Sequence, residues 1–94
     1  DPKPMLQAVS SGAAGSWMLS NLAPKMVAGD DAPGFFVDYQ LKDLRLADEA
    51  ADEFGVSLPA ASLAKAMFQA ASRRGYGRCG TQAVYHVLRN LQGE

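Results

Sequence analysis

Cysteine, histidine and tryptophan each occur only once in these 94 residues, as Cys79, His86 and Trp17. A lone cysteine excludes an internal disulfide framework and fits a reducing, cytoplasmic setting, which is the expected compartment. So few soft or imidazole ligands leave no Cys/His/Asp grouping at metal-binding spacing, and no metal site is expected. No Ser or Cys stands at a telling spacing from His86, so His86 reads as an ordinary surface or helix-end histidine and Cys79 as a structural thiol in a Gly-rich turn. Charge of one sign is also in short supply, since the formal net charge is −1. The basic surplus of a nucleic-acid binder is missing, and neither nucleic acid nor a membrane is an expected partner. No apolar run approaches the roughly 18 residues of a membrane span, and no leader pattern opens the sequence.

What is present is a succession of helix signals, with no segment of alternating polarity that would serve as a strand. "DPKPMLQAVSSG" offers Asp1 as a cap, Pro2 at the first helical position and Gly12 as a stop. "GSWMLSNLAPKMVAGD" offers Ser16 as a cap, with Pro24 expected to end or kink the helix. "DDAPGFF" reads as a turn, and the stretch from Phe35 to Phe54, free of Gly and Pro, as a long helix halted by Gly55. Pro59 opens a fourth helix, with Arg73 and Arg74 near its C-terminal dipole and Gly75 closing it. Thr81 is expected to cap a fifth, "QAVYHVLRNL", with Val84, Val87, Leu88 and Leu91 on its apolar side. The fold class is therefore all-α, a single bundle of about five helices over residues 1–94. A chain of this size buries only about 60 to 65% of its unfolded surface, so its stability alone should be modest. It begins at Asp1 in what reads as a helix cap, and a piece of a longer protein is expected.

The long central helix poses a chemical question. Wound at about 100° per residue, it places Arg45, Asp48, Glu49, Asp52 and Glu53 on one side and Phe36, Val37, Leu44, Ala47, Ala51 and Phe54 on the other. Asp43 falls inside the apolar stripe, within about 20° of Phe36 and Phe54, while Lys42 lies at the edge of the charged side. An unpaired buried carboxylate costs several kcal/mol, so either Asp43 has a partner or that face is not simply core.

A second pattern invites a wrong conclusion. "GYGRCG", Gly75 to Gly80, matches G-x-G-x-x-G, which lets a backbone approach a dinucleotide pyrophosphate. That chemistry requires a preceding strand and an acidic residue about 20 positions later. Here the preceding segment is helical and the required acid is absent, so a connection between helices accounts for the glycines.

The order "GSWMLSN", "PKM", "GD", "PGF", then "KDLRLA", "LP" and "GYG" resembles the C-terminal all-helical domain of the β-hydroxyacid dehydrogenases, which include 3-hydroxyisobutyrate dehydrogenase, tartronate semialdehyde reductase and the glyoxylate/succinic semialdehyde reductases. The likeness runs over essentially the whole chain and rests on the ordered spacing of Trp17, Asn21, Pro24, Gly29, Pro33, Gly34, Phe35, Lys42 and Asp43. It implies a two-domain oxidoreductase that transfers hydride between NAD or NADP and a small β-hydroxy acid or semialdehyde acid. An N-terminal Rossmann domain and an interdomain helix bearing the catalytic lysine, both outside this sequence, are implied as well, so no catalytic residue is expected here and the chain alone should be inactive. Lys42 matches the family lysine that reaches toward the cofactor, Asp43 the aspartate beside it in the substrate pocket, and Phe35 and Trp17 aromatic positions lining that pocket. A homo-oligomer is also implied. Where the family often carries D-x-S-A, this sequence has Gly80, Thr81, Gln82 and Ala83, which reads as a different helix cap. The competing expectation, from the short helical chain without a complete site, is a free-standing interaction or dimerisation module.

Overall fold

The structure is a computed structural model that describes residues 1–93. It contains five α-helices and no named strand among those residues: α1 (Pro2–Ser10), α2 (Trp17–Ala28), α3 (Val37–Phe54), α4 (Pro59–Ala71) and α5 (Tyr85–Leu91). A π-helical turn, Ser72–Tyr76, follows α4, and a 3₁₀ turn, Thr81–Val84, leads into α5. No helix is long and apolar enough to cross a membrane among the described residues.

Local signals set most of the boundaries. The Asp1 carboxylate accepts from the Lys3 N–H at 3.0 Å, and Ser16 Oγ accepts from the Leu19 N–H at 3.0 Å, each satisfying one of the free donors at a helix start. Replacing Ser16 with alanine is expected to cost about 1 kcal/mol, read as a lowered melting temperature. Gly29 and Gly55 close α2 and α3 in the left-handed region, at φ 71° and 67°.

Three expectations change. Pro24 neither ends nor breaks α2, which runs on to Ala28; Pro24 and Ser20, whose carbonyl loses its helical donor, are both exposed, so water can take that bond. The long helix starts at Val37 rather than Phe35. Thr81 is not a side-chain cap: Gly80 holds the N-cap position, and the buried Thr81 gives its N–H to the Phe35 carbonyl at 2.9 Å.

The core is small. Val37, Ala71, Ala83 and Val87 are buried together, with Met67, Phe68, Tyr76 and Cys79 packed against them. Leu88 and Leu91, expected on the apolar side of α5, are largely exposed. The helices α3 and α4 pack together, as do α1 and α2.

What joins these parts is the segment after the π turn. The first N–H groups of α3 have no side-chain cap. They donate instead to backbone carbonyls, Val37 to Cys79 and Asp38 to Gly77, each at 3.0 Å. Gly80 N–H donates to the Asp31 carbonyl at 2.8 Å, so residues 77–81 strap the approach to α3 onto the core.

The glycines of "GYGRCG" have separate steric duties within this strap. Gly75 sits at φ 94°, which L residues rarely adopt. Gly77 has an ordinary φ of −56°, but a Cβ there would lie 2.6 Å from Asp38 Oδ1. At Gly80 a Cβ would lie 2.7 Å from Gln82 Cδ. The connection between helices explains the pattern, as its surroundings require.

Candidate functional site

The answer to the Asp43 question lies in how α3 is rotated. Its buried positions are Val37, Leu41 and Ala51, one continuous stripe. Asp43 stands roughly 160° from Leu41 around the helix, outside that stripe. Phe54, counted with the apolar side, is 75% exposed, and Phe36 is half-buried. The core-facing stripe is thus turned toward Leu41, at the cost of drawing Asp48 partly inward, where it pairs with Lys65 of α4. Asp43 is not sealed in the core, and Lys42 is its partner: Nζ lies 3.2 Å from Asp43 Oδ1, with side chains 63% and 48% exposed. Lys42 Nζ also lies 5.9 Å from the centre of the Tyr39 ring, itself edge-on to Phe35 at 5.9 Å.

Phe35 and Trp17 are brought together. Both line an open cleft of about 440 Å³ between the start of α2 and the approach to α3, with Lys25, Gln40 and Gln82 among its other walls. Lys42 and Asp43 do not line it. They lie beside it, joined to Phe35 through Tyr39, while Gln40 reaches the cleft from the same helix. The four residues singled out by resemblance therefore form two adjoining pairs rather than one contact cluster.

Three polar clusters went unseen in the sequence. Asp38 Oδ1 accepts from Ser72 Oγ at 2.6 Å, across from Gly77. His86 is held, not free: its Nε2 lies 2.9 Å from Asp31 Oδ2, and its ring stacks on Tyr76 at 4.7 Å between centroids. Gln82 Nε2 donates to the carbonyls of Asp30 and Ala32, at 3.0 and 2.9 Å. The only signal for the last was the departure from D-x-S-A at Gly80 and Gln82. Cys79 is half-buried against the core, and no acidic, His or Cys cluster among the described residues could hold a metal.

A family model described as the NAD-binding of NADP-dependent 3-hydroxyisobutyrate dehydrogenase matches residues 1–88. The chain belongs to the 3-hydroxyisobutyrate dehydrogenase family. An uncharacterized oxidoreductase of Bacillus subtilis (strain 168), YkwC, is 42% identical over 87 residues, which are 93% of this chain and 30% of that protein. An L-threonate dehydrogenase of Escherichia coli (strain K12) is 37% identical over 87 residues, 93% of this chain and 29% of its own length. The crystal structure of 3-hydroxyisobutyrate dehydrogenase (ygbJ) from Salmonella typhimurium superposes with a TM-score of 0.86 at 38% identity, over 90% of this chain and 30% of that one. The present sequence thus spans about a third of each relative. The 3-hydroxyisobutyrate dehydrogenase family works with a nicotinamide dinucleotide, and the family model matching this helical segment is described as NAD-binding.

Proposed function

We propose that this chain is the C-terminal, substrate-side domain of an NAD- or NADP-dependent dehydrogenase that interconverts a small β-hydroxy acid and its semialdehyde or keto acid. A Rossmann domain and an interdomain helix supplying a catalytic lysine would complete it. The observation that carries the reading is the cleft walled by Trp17 and Phe35, with the Lys42–Asp43 pair at its edge, in a chain that belongs to this family. The donor set suits the ligands: flat aromatic faces accept a planar ring, and an exposed ammonium suits an anionic group. When bound, the nicotinamide supplies the hydride chemistry. The residues of this chain orient and exclude water: Lys42 directs its charge toward the cofactor, Asp43 holds Lys42 and accepts from the substrate hydroxyl, and Phe35 and Trp17 close the pocket.

Exposed apolar side chains support a larger assembly. Met5, Trp17, Phe54, Leu63 and Leu91 are each at least 65% exposed, and they would be covered by the other domain and by a second subunit of a homo-oligomer. Family membership favours this over a free-standing helical module. A reducing, cytoplasmic setting fits the single Cys79.

The test is steady-state turnover, followed by nicotinamide absorbance, with NAD and NADP and a panel of small hydroxy acids. The full-length protein is expected to turn over at least one of them, and the 94-residue chain none, because the proton-donating lysine lies outside it. Turnover by the 94-residue chain would sink the division of labour proposed here.

A further inference from the structure

Among the polar groups of the cleft that the dehydrogenase reading leaves unused, one is almost fully buried. Gln82 is only 2% exposed, yet lines the cleft with Trp17 and Phe35. Its two donations, to the carbonyls of Asp30 and Ala32, use both amide hydrogens. They also fix which way the amide faces, since only the nitrogen end can meet two carbonyl oxygens. The amide oxygen receives no hydrogen bond from the described residues, and no sealed side-chain polar atom among them lacks a partner, so this oxygen keeps an opening. Gly80 is what makes the pose possible, because a Cβ there would collide with the amide. A buried acceptor, aimed by its neighbours and left without a donor, is built to receive one.

We propose that Gln82 is a specificity-determining residue whose amide oxygen accepts a hydrogen bond from a hydroxyl of the acid in the cleft, other than the hydroxyl that is oxidised. The substrate class is then a dihydroxy or polyhydroxy acid rather than its deoxy counterpart. Lys25, which lines the same cleft and makes no ion pair among the described residues, suits the carboxylate of such an acid. The inference rests on the dehydrogenase reading of the cleft.

The experiment compares kcat/KM of the full-length enzyme for a 2,3-dihydroxy acid and for the analogue lacking the second hydroxyl. A site that hydrogen-bonds a hydroxyl rejects the analogue without it, here by about 10- to 100-fold in the unaltered enzyme. Gln82→Met should bring that ratio to within about threefold, because the acceptor is gone while the side-chain length is kept. Gly80→Ala, which leaves Gln82 in place but displaces its amide, should erode the ratio in the same direction. If Gln82→Met fails to fold, the ratio in the unaltered enzyme and in Gly80→Ala decides. Equal kcat/KM for both acids in the unaltered enzyme, or a ratio that survives Gln82→Met, overturns the assignment while leaving the dehydrogenase intact. No turnover of either acid with either cofactor would instead overturn the dehydrogenase reading, and this inference with it.

Discussion

Replacing Lys42 with alanine in the full-length enzyme is expected to lower kcat/KM by about 10²- to 10³-fold, the usual result of deleting one charge-stabilising donor from a reaction cleft. Its melting temperature should hardly move. The Lys42–Asp43 pair is exposed on both sides, and such pairs contribute little to stability because water and salt already screen them. A purely structural pair would give the opposite pattern of near-normal kinetics and a small stability loss. Lys42→Arg keeps the charge but changes its shape and reach, so it should recover only part of the activity. A kcat/KM for Lys42→Ala within about twofold of the unaltered enzyme would remove Lys42 from the site.

The second large effect concerns stability. Gly77→Ala is expected to destabilise the domain by about 1 to 3 kcal/mol, the range for overpacking a close contact. For a domain of this size each kcal/mol moves the melting temperature by roughly 4–8 °C. The cause is space and not backbone freedom: φ at Gly77 is −56°, which alanine adopts readily. The added methyl would meet the Asp38 carboxylate, which cannot swing away without giving up Ser72 Oγ and its place at the start of α3, where a negative charge is favoured. Combining Gly77→Ala with Asp38→Ala should therefore cost less than the sum of the two single changes. Strict additivity in thermal denaturation would show that the carboxylate is not the obstacle.

These two sites differ in how legible they were. Lys42 and Asp43 could be singled out because the ordered spacing from Trp17 to "KDL" is read along the chain. The five helices were legible for a similar reason: Asp1, Ser16, Gly55 and Pro59 act within a turn of their own position. The orientation of α3 was not, because a helical wheel with Phe36 and Phe54 on one flank and Leu41 on the other does not say which flank meets α4. Burial of Leu41 and pairing of Asp48 with Lys65 decided it, and those are tertiary facts.

The remaining polar clusters lie beyond any local pattern. Ser72 and Asp38 are 34 residues apart, Gln82 and Asp30 are 52 apart, and His86 and Asp31 are 55 apart. Periodicity carries no information over such distances, and each partner alone looks like an ordinary turn or helix-end residue. Two of the three left a trace, at Gly77 and in the departure from D-x-S-A at Gly80 and Gln82. Gly77 and Gly80 are glycine because a carboxylate and an amide occupy the space a side chain would need.

The most direct test of the central claim is a crystal structure of the full-length protein with its nicotinamide dinucleotide and a hydroxy acid bound. The account predicts Lys42 Nζ within hydrogen-bonding reach of the cofactor, with Asp43, Phe35 and Trp17 facing the acid across an interdomain cleft. A structure that left Lys42 and Asp43 in open solvent, with the ligands bound on another face of the helical domain, would contradict it.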